Sequence, residues 1–121
     1  MVDPLTEDII GTAVEVHQHI GPGLLESIYE EALCHEMSLR NISFARQIPV
    51  NVLYKGFTIK GQSIDLLVDN QVVIEVKSLV SVPEVALAQT LSYLKATGLK
   101  RAPLINFGSK RLVDGIKRLS L

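Results

Sequence analysis

Residues 61–78, reading Gly-Gln-Ser-Ile-Asp-Leu-Leu-Val-Asp-Asn-Gln-Val-Val-Ile-Glu-Val-Lys-Ser, constrain this chain more than any other stretch. Two runs rich in Ile, Leu and Val flank Asp69-Asn70, whose side chains tolerate left-handed backbone and close tight turns. The pattern predicts a β-hairpin. With the loop centred near residue 70, Asp65 falls opposite Glu75 or one step from it, because cross-strand partners lie at equal distances from the turn. Period-two alternation puts Glu75 and Lys77 on one face. Ile64, Leu66 and Val68 then meet Val72, Ile74 and Val76 on the other, a wholly apolar face that must be buried. A one-residue slip would bury two carboxylates and an ammonium, so the register holds Asp65, Glu75 and Lys77 on one surface.

Two adjacent carboxylates repel each other. A divalent cation relieves that repulsion, and a neighbouring lysine supplies positive charge or a poised proton carrier. Metal-assisted phosphodiester hydrolysis needs those parts. The same stretch also fits a plainer reading, a hairpin whose solvent face carries three charges in a harmless salt-bridge pattern.

The chain has 121 residues, 47% hydrophobic and 21% charged, which suits one folded domain over 1–121 and leaves little room for a second. No apolar run approaches the length of a membrane span. The N-terminal residues lack the basic and apolar regions of a signal peptide, so a cytoplasmic protein is expected. One cysteine, Cys34, excludes an internal disulfide and a cysteine-based zinc site, and reads as a small packing residue on a helix. His17, His19 and His35 show no metal-ligand spacing with it.

Net charge is only −1, but it is unevenly spread. Residues 1–39 hold eight acidic residues and no Lys or Arg, whereas 95–121 hold seven basic residues against Asp114 alone. A basic end can attract a phosphate backbone, or the two ends can pair within or between subunits.

Taken in order, Asp3-Pro4 or Thr6 starts a first helix that runs to Ile20 and stops at Gly21-Pro22-Gly23. A second helix is expected over about 24–39, with Leu25, Ile28, Ala32 and Leu33 as its inner stripe. Phe44 to Tyr54 reads as a strand that Pro49 confines to a sheet edge or breaks. Lys55-Gly56 turns the chain into a second strand to Val68, with Gly61 a candidate bulge. Ser81-Val82-Pro83-Glu84 has capping-box spacing ahead of a helix that Gly98 closes. A short buried strand over 102–107 follows, and 111–119 reads as a last amphipathic helix with Leu112, Ile116 and Leu119 inward. This order gives an α/β or α+β fold, a mixed sheet with helices against it.

Asp65, nine residues, then Glu75-Val76-Lys77, set in a helix, three strands, helix, strand core, resembles the PD-(D/E)XK nuclease superfamily. Gly23-Leu24-Leu25-Glu26-Ser27-Ile28-Tyr29 matches the signature of the GxxExxY family within it, and Ile105-Asn106-Phe107-Gly108 and residues 114–118 also look like stretches from that family. The resemblance spans nearly the whole chain. It implies a restriction-endonuclease-like αβββαβ core with a mixed central sheet flanked by helices. The Pro that often precedes the first Asp is absent, Ile64 taking its place.

Residue by residue, the resemblance implies that Asp65 and Glu75 bind magnesium or manganese with the Val76 carbonyl, and that Glu26 holds the metal or its water. Lys77 would orient or activate the attacking water. Gln89 and Tyr93, spaced as in the extra motif of the RecB-like branch, would touch a DNA phosphate or Lys77. His17 is a secondary candidate. The function implied is a metal-dependent nuclease acting on DNA, recognising structure or ends or working as a homodimer. Its rivals are a catalytically silent nuclease-fold module that binds nucleic acid or a protein partner, and a purely structural subunit.

Overall fold

The computed structural model describes residues 3–121; Met1 and Val2, part of the N-terminal stretch read as lacking a leader, lie outside the described residues. Helix α1 (Pro4–Ile20) is capped by Asp3, whose carboxylate accepts from the Leu5 N–H and the Thr6 hydroxyl. Helix α2 spans Glu26–Leu39. Strands β1 (Phe44–Tyr54), β2 (Phe57–Val68) and β3 (Val72–Lys77) form a meander. Helix α3 (Glu84–Thr97) crosses over to β4 (Arg101–Asn106), and a 3-10 turn (Leu112–Gly115) leads into β5 (Ile116–Ser120). The sheet runs β1-β2-β3-β4-β5, with β3 and β4 parallel and every other neighbour antiparallel. This is the mixed, helix-flanked sheet expected of a restriction-endonuclease-like core. No described helix is long and apolar enough to cross a membrane.

Two apolar layers hold the sheet between helices. On one face α1 and α2 pack Ile9, Val16, Tyr29, Leu33 and Met37 against Leu66, Val68, Ile74 and Val76. On the other, α3 packs Tyr93 and Leu94 against Val50, Ile64, Val73 and Ala102. Burying each of these large side chains contributes about 1.5–3 kcal/mol. Both layers are needed to explain β3. Every residue from Val72 to Val76 is buried, Glu75 included at 5% exposure, because α3 covers the face that alternation alone would leave to solvent.

The hairpin turn is as the sequence predicts. Asp69 and Asn70 both take positive φ, the Gln71 N–H donates to the Val68 carbonyl, and the register pairs Leu66 with Ile74 and Val68 with Val72. Gly61 lies at φ +126°, a backbone that side chains resist, where the β1–β2 register shifts opposite Asn51. Pro49 does lie on an edge strand. Gly98 closes α3 in the left-handed region, and Cys34 is buried on α2.

Four local expectations are corrected. Residues 111–119 are a 3-10 turn followed by an edge strand, because Leu112 and Ile116 join the core while Ile116–Ser120 pair with β4; the apolar spacing served a strand as well as a helix. The inner stripe of α2 is Tyr29, Leu33, Cys34 and Met37, and Leu25 and Ile28 are exposed, since the helix begins only at Glu26 and its face is rotated. Helix α3 starts at Glu84 with Pro83 as its cap residue and no side-chain cap bond, so Ser81 forms no capping box. Ile64 packs against α3, opposite to Leu66 and Val68. Gln47, across the ladder, sits at φ +51° and reverses the alternation: Arg46 reaches α2, whereas Ile48 packs with the α3 layer.

Candidate metal centre and active site

The β2–β3 ladder stops at Leu66↔Ile74, and beyond it two carboxylates take the place of backbone acceptors. The Val76 N–H donates to Asp65 Oδ2 at 2.9 Å, and the Asp65 N–H donates to Glu75 Oε1 at 3.3 Å. Each strand is thus held by an acidic side chain of the other. The reversal at Gln47 and Ile64 falls at the level of Asp65, where the strands part. The N–H and C=O of one strand residue point the same way, so the Val76 carbonyl also faces the Asp65 side.

Burial sets the electrostatics. It pushes Glu75 up to about 8, the negative charge of Asp65 adds to the rise, and the nearby Lys77 only partly offsets it. Asp65 is also raised, first by burial; the Val76 N–H and Lys77 pull it down, while Glu30 and Glu26 push it up. Glu26, in the first turn of α2, is therefore close enough for its charge to act on both carboxylates. Tyr93 on α3 is 4% exposed, and burial and then the charges of Glu75 and Asp65 raise its phenol. Gln89 lies one turn earlier on α3, exposed.

The structure thus brings Asp65, Glu75, Lys77 and Tyr93 to one end of the central strands, with Glu26 facing them from α2. Among the described residues, no three Asp, Glu, His or Cys side chains converge at metal-holding distance. The pair Asp65 and Glu75 nonetheless fits a hard divalent cation: two carboxyls each raised first by burial, Glu75 also by the charge of Asp65, beside a backbone carbonyl.

Residues whose structural roles their motifs do not state build the walls. Tyr29 is fully buried, stacks on Phe107 with ring centroids 4.4 Å apart, and donates its hydroxyl to the Gly21 carbonyl at 2.5 Å. The same hydroxyl accepts the Leu24 N–H at 3.1 Å, and the Ser78 hydroxyl donates to the Leu24 carbonyl at 2.6 Å. The loop that delivers Glu26 is thereby pinned both to the core and to the chain just after Lys77. Glu30, buried behind the site, accepts from Arg46 at 2.6 Å and from Gln47 at 2.8 Å.

Asn106 clamps the segment after Lys77 from the other side. Its amide accepts the Leu79 N–H at 2.8 Å and donates to the Leu79 carbonyl at 3.0 Å. Gly108 presses against the same residue, where an added Cβ would lie 2.2 Å from the Leu79 oxygen. His17 donates from Nε2 to the Ser109 carbonyl at 2.9 Å and packs near Phe107, a structural role. Of the basic residues near the C-terminus, Arg101 pairs with Asp3 and Arg118 with Glu7, so the charged ends meet within the chain.

The PD-(D/E)XK nuclease superfamily model matches residues 3–119. No curated protein and no solved structure matches the chain. The match covers both helices before the sheet, the Asp65/Glu75/Lys77 strands, α3 and the strands after it, and on that extent the chain belongs to the PD-(D/E)XK nuclease superfamily.

Proposed function

We propose that this chain is a metal-dependent nuclease that hydrolyses phosphodiester bonds of DNA. The observation that carries the reading is the Asp65–Glu75 pair, a half-buried and a buried carboxyl, each raised by burial, held against each other at a cost to folding that a bound cation or a proton relieves. The finer assignment is to the GxxExxY family and the RecB-like branch, for which Gly23, Glu26 and Tyr29 on one side and Gln89 and Tyr93 on the other are the matching positions. One domain over 1–121, a cytoplasmic setting and action as a homodimer across a duplex belong to the same reading.

In this reading Asp65, Glu75 and the Val76 carbonyl hold magnesium or manganese, with Glu26 binding the metal's water. The ion would supply a polarised phosphate and a more acidic coordinated water. Lys77, two residues beyond Glu75, orients the water that attacks phosphorus and offsets charge gathering on the phosphate oxygens as the P–O bond to the leaving strand breaks. Tyr93, against the carboxylates, and Gln89, exposed beside it, position the scissile phosphate.

The test is thermal. Magnesium or manganese should raise the melting temperature of the parent, by about 2.7 kcal/mol of stability at a hundredfold excess over Kd, and Asp65→Asn should abolish the rise. An equal rise in Asp65→Asn would refute the site. That no three acidic, His or Cys side chains among the described residues converge at metal-holding distance favours, as the second reading, a silent nuclease-fold module that binds nucleic acid or a protein. Absence of any metal-linked stabilisation would select it.

A further inference from the structure

The β1–β2 hairpin outruns the sheet. β3 pairs with β2 only from Leu66 to Val68, so residues 51–60 form a two-stranded arm in which every residue is exposed. The arm leaves the sheet at the level of Lys77 and reaches, eight residues from Asp65 at about 3.3 Å each, roughly 25 Å beyond the site. One face is apolar throughout. Tyr54 pairs across the ladder with Phe57, and Val52 with Ile59. Tyr54 is 59% and Phe57 67% exposed, an expensive arrangement for an isolated arm unless something stacks there.

Charge narrows the occupant. Between Glu36 and Asp65 the sequence contains no acidic residue, and Lys55 at the arm's turn and Lys60 on its return strand are cationic. At the arm's base a depression of about 480 Å³ separates it from α3, and its walls mix apolar Val52, Leu53 and Ala96 with polar Gln62 and Ser92 and the cation Lys95. This groove starts three residues from Asp65 and runs beside the α3 face that carries Gln89. A groove of mixed polar and apolar lining that holds Lys95, continued by an arm that carries Lys55 and Lys60 and two exposed aromatics, fits a polyanion with flat, stackable faces.

We infer that the arm and groove bind a single-stranded segment of nucleic acid running away from the cleavage site, with Lys55, Lys60 and Lys95 on phosphates and Tyr54 and Phe57 stacked on bases. The inference rests on the nuclease reading and adds a substrate class to it: strands, overhangs or forks in preference to blunt duplex. A duplex presents no free base faces to the aromatic pair, whereas an unpaired strand presents one per nucleotide.

The test measures binding of a labelled single strand and of the matching blunt duplex by fluorescence anisotropy, with magnesium present. The full chain carries Lys77→Ala throughout, so that bound strands are not cut. Adding Tyr54→Ala and Phe57→Ala should weaken single-strand binding at least ~10-fold and duplex binding less. Adding Lys55→Ala and Lys60→Ala instead should flatten the salt dependence of single-strand binding by a log–log slope of about 1.4. Melting curves check that these exposed positions leave the fold intact. Unchanged binding in both arm variants, with the salt dependence of the Lys77→Ala chain retained, overturns the arm inference and leaves the nuclease reading standing. Failure of the Lys77→Ala chain to bind either nucleic acid overturns both. Loss of a dimer in light scattering with unchanged binding overturns the inference in favour of self-association through the arm.

Discussion

Replacing Glu75 with Gln should stabilise the metal-free protein, and the size of the gain follows from the carboxyl's surroundings. In the unfolded chain this carboxyl titrates near 4.5; folded, burial and the charge of Asp65 push it up to about 8. The folded state therefore holds a proton that the unfolded state has released. The stability this carboxyl contributes is complete below pH 4.5 and is lost as pH rises through about 8, after which the loss levels off. At pH 7 the loss is on the order of 3 kcal/mol, and by pH 9 on the order of 5, at 1.36 kcal/mol per pH unit. Gln keeps the oxygen that accepts the Asp65 N–H but carries no proton to lose. Glu75→Gln should consequently melt about 10 °C above the parent at pH 7 in a chelator and show a flatter pH profile, Asp65 alone adding slope in the same direction. Chemical denaturation of both proteins from pH 5 to 9 measures the difference directly. A variant no more stable than the parent at pH 8, or a gap that does not widen from pH 5 to 8, would refute the reasoning.

Other consequences bear on the walls of the site. Tyr29→Phe removes the hydroxyl that joins the Gly21 carbonyl to the Leu24 N–H, and should cost about 1–3 kcal/mol in denaturant melts while weakening the metal-induced stabilisation, because the loop before Glu26 loosens. Gly108→Ala forces a Cβ to 2.2 Å from the Leu79 carbonyl, so the segment after Lys77 must shift; a loss of at least ~2 kcal/mol and faster hydrogen exchange at Leu79 are expected. Arg46→Ala strips the cation from Glu30, which is 8% exposed, and should destabilise by about 3 kcal/mol at neutral pH, an effect that Glu30→Gln in the same chain reduces.

Much of this architecture was legible because its signals are local. Asp69-Asn70 dictates a turn, the turn dictates the register, and the register puts Asp65 against Glu75 whatever the rest of the chain does. Asp3-Pro4 and Gly98 mark helix ends for equally local reasons. What the sequence hides depends on distant partners. Nothing near Gln47 announces a left-handed residue, yet that residue reverses the strand and sends Ile64 to the opposite layer from Leu66. Alternation alone leaves the face of Glu75 to solvent, and only the crossover of α3 makes that face a second core and so raises its carboxyl. Residues 111–119 carry apolar spacing compatible with helix or strand, and the unpaired edge of β4 decided the matter. Asn106 and Tyr29 offered sequence signals in their motifs, but the motifs do not say that both act by fixing the chain on either side of Lys77.

The central claim is that the Asp65, Glu75 and Lys77 cluster is a working hydrolytic site. Manganese-dependent cleavage of linear, circular, single-stranded and branched DNA, compared with Lys77→Ala purified in the same way, tests it most directly. The account predicts cleavage by the parent, suppressed by chelator and reduced at least ~100-fold in Lys77→Ala. Equal cleavage by Lys77→Ala, or no cleavage of any substrate by a parent protein that binds the metal, would contradict it.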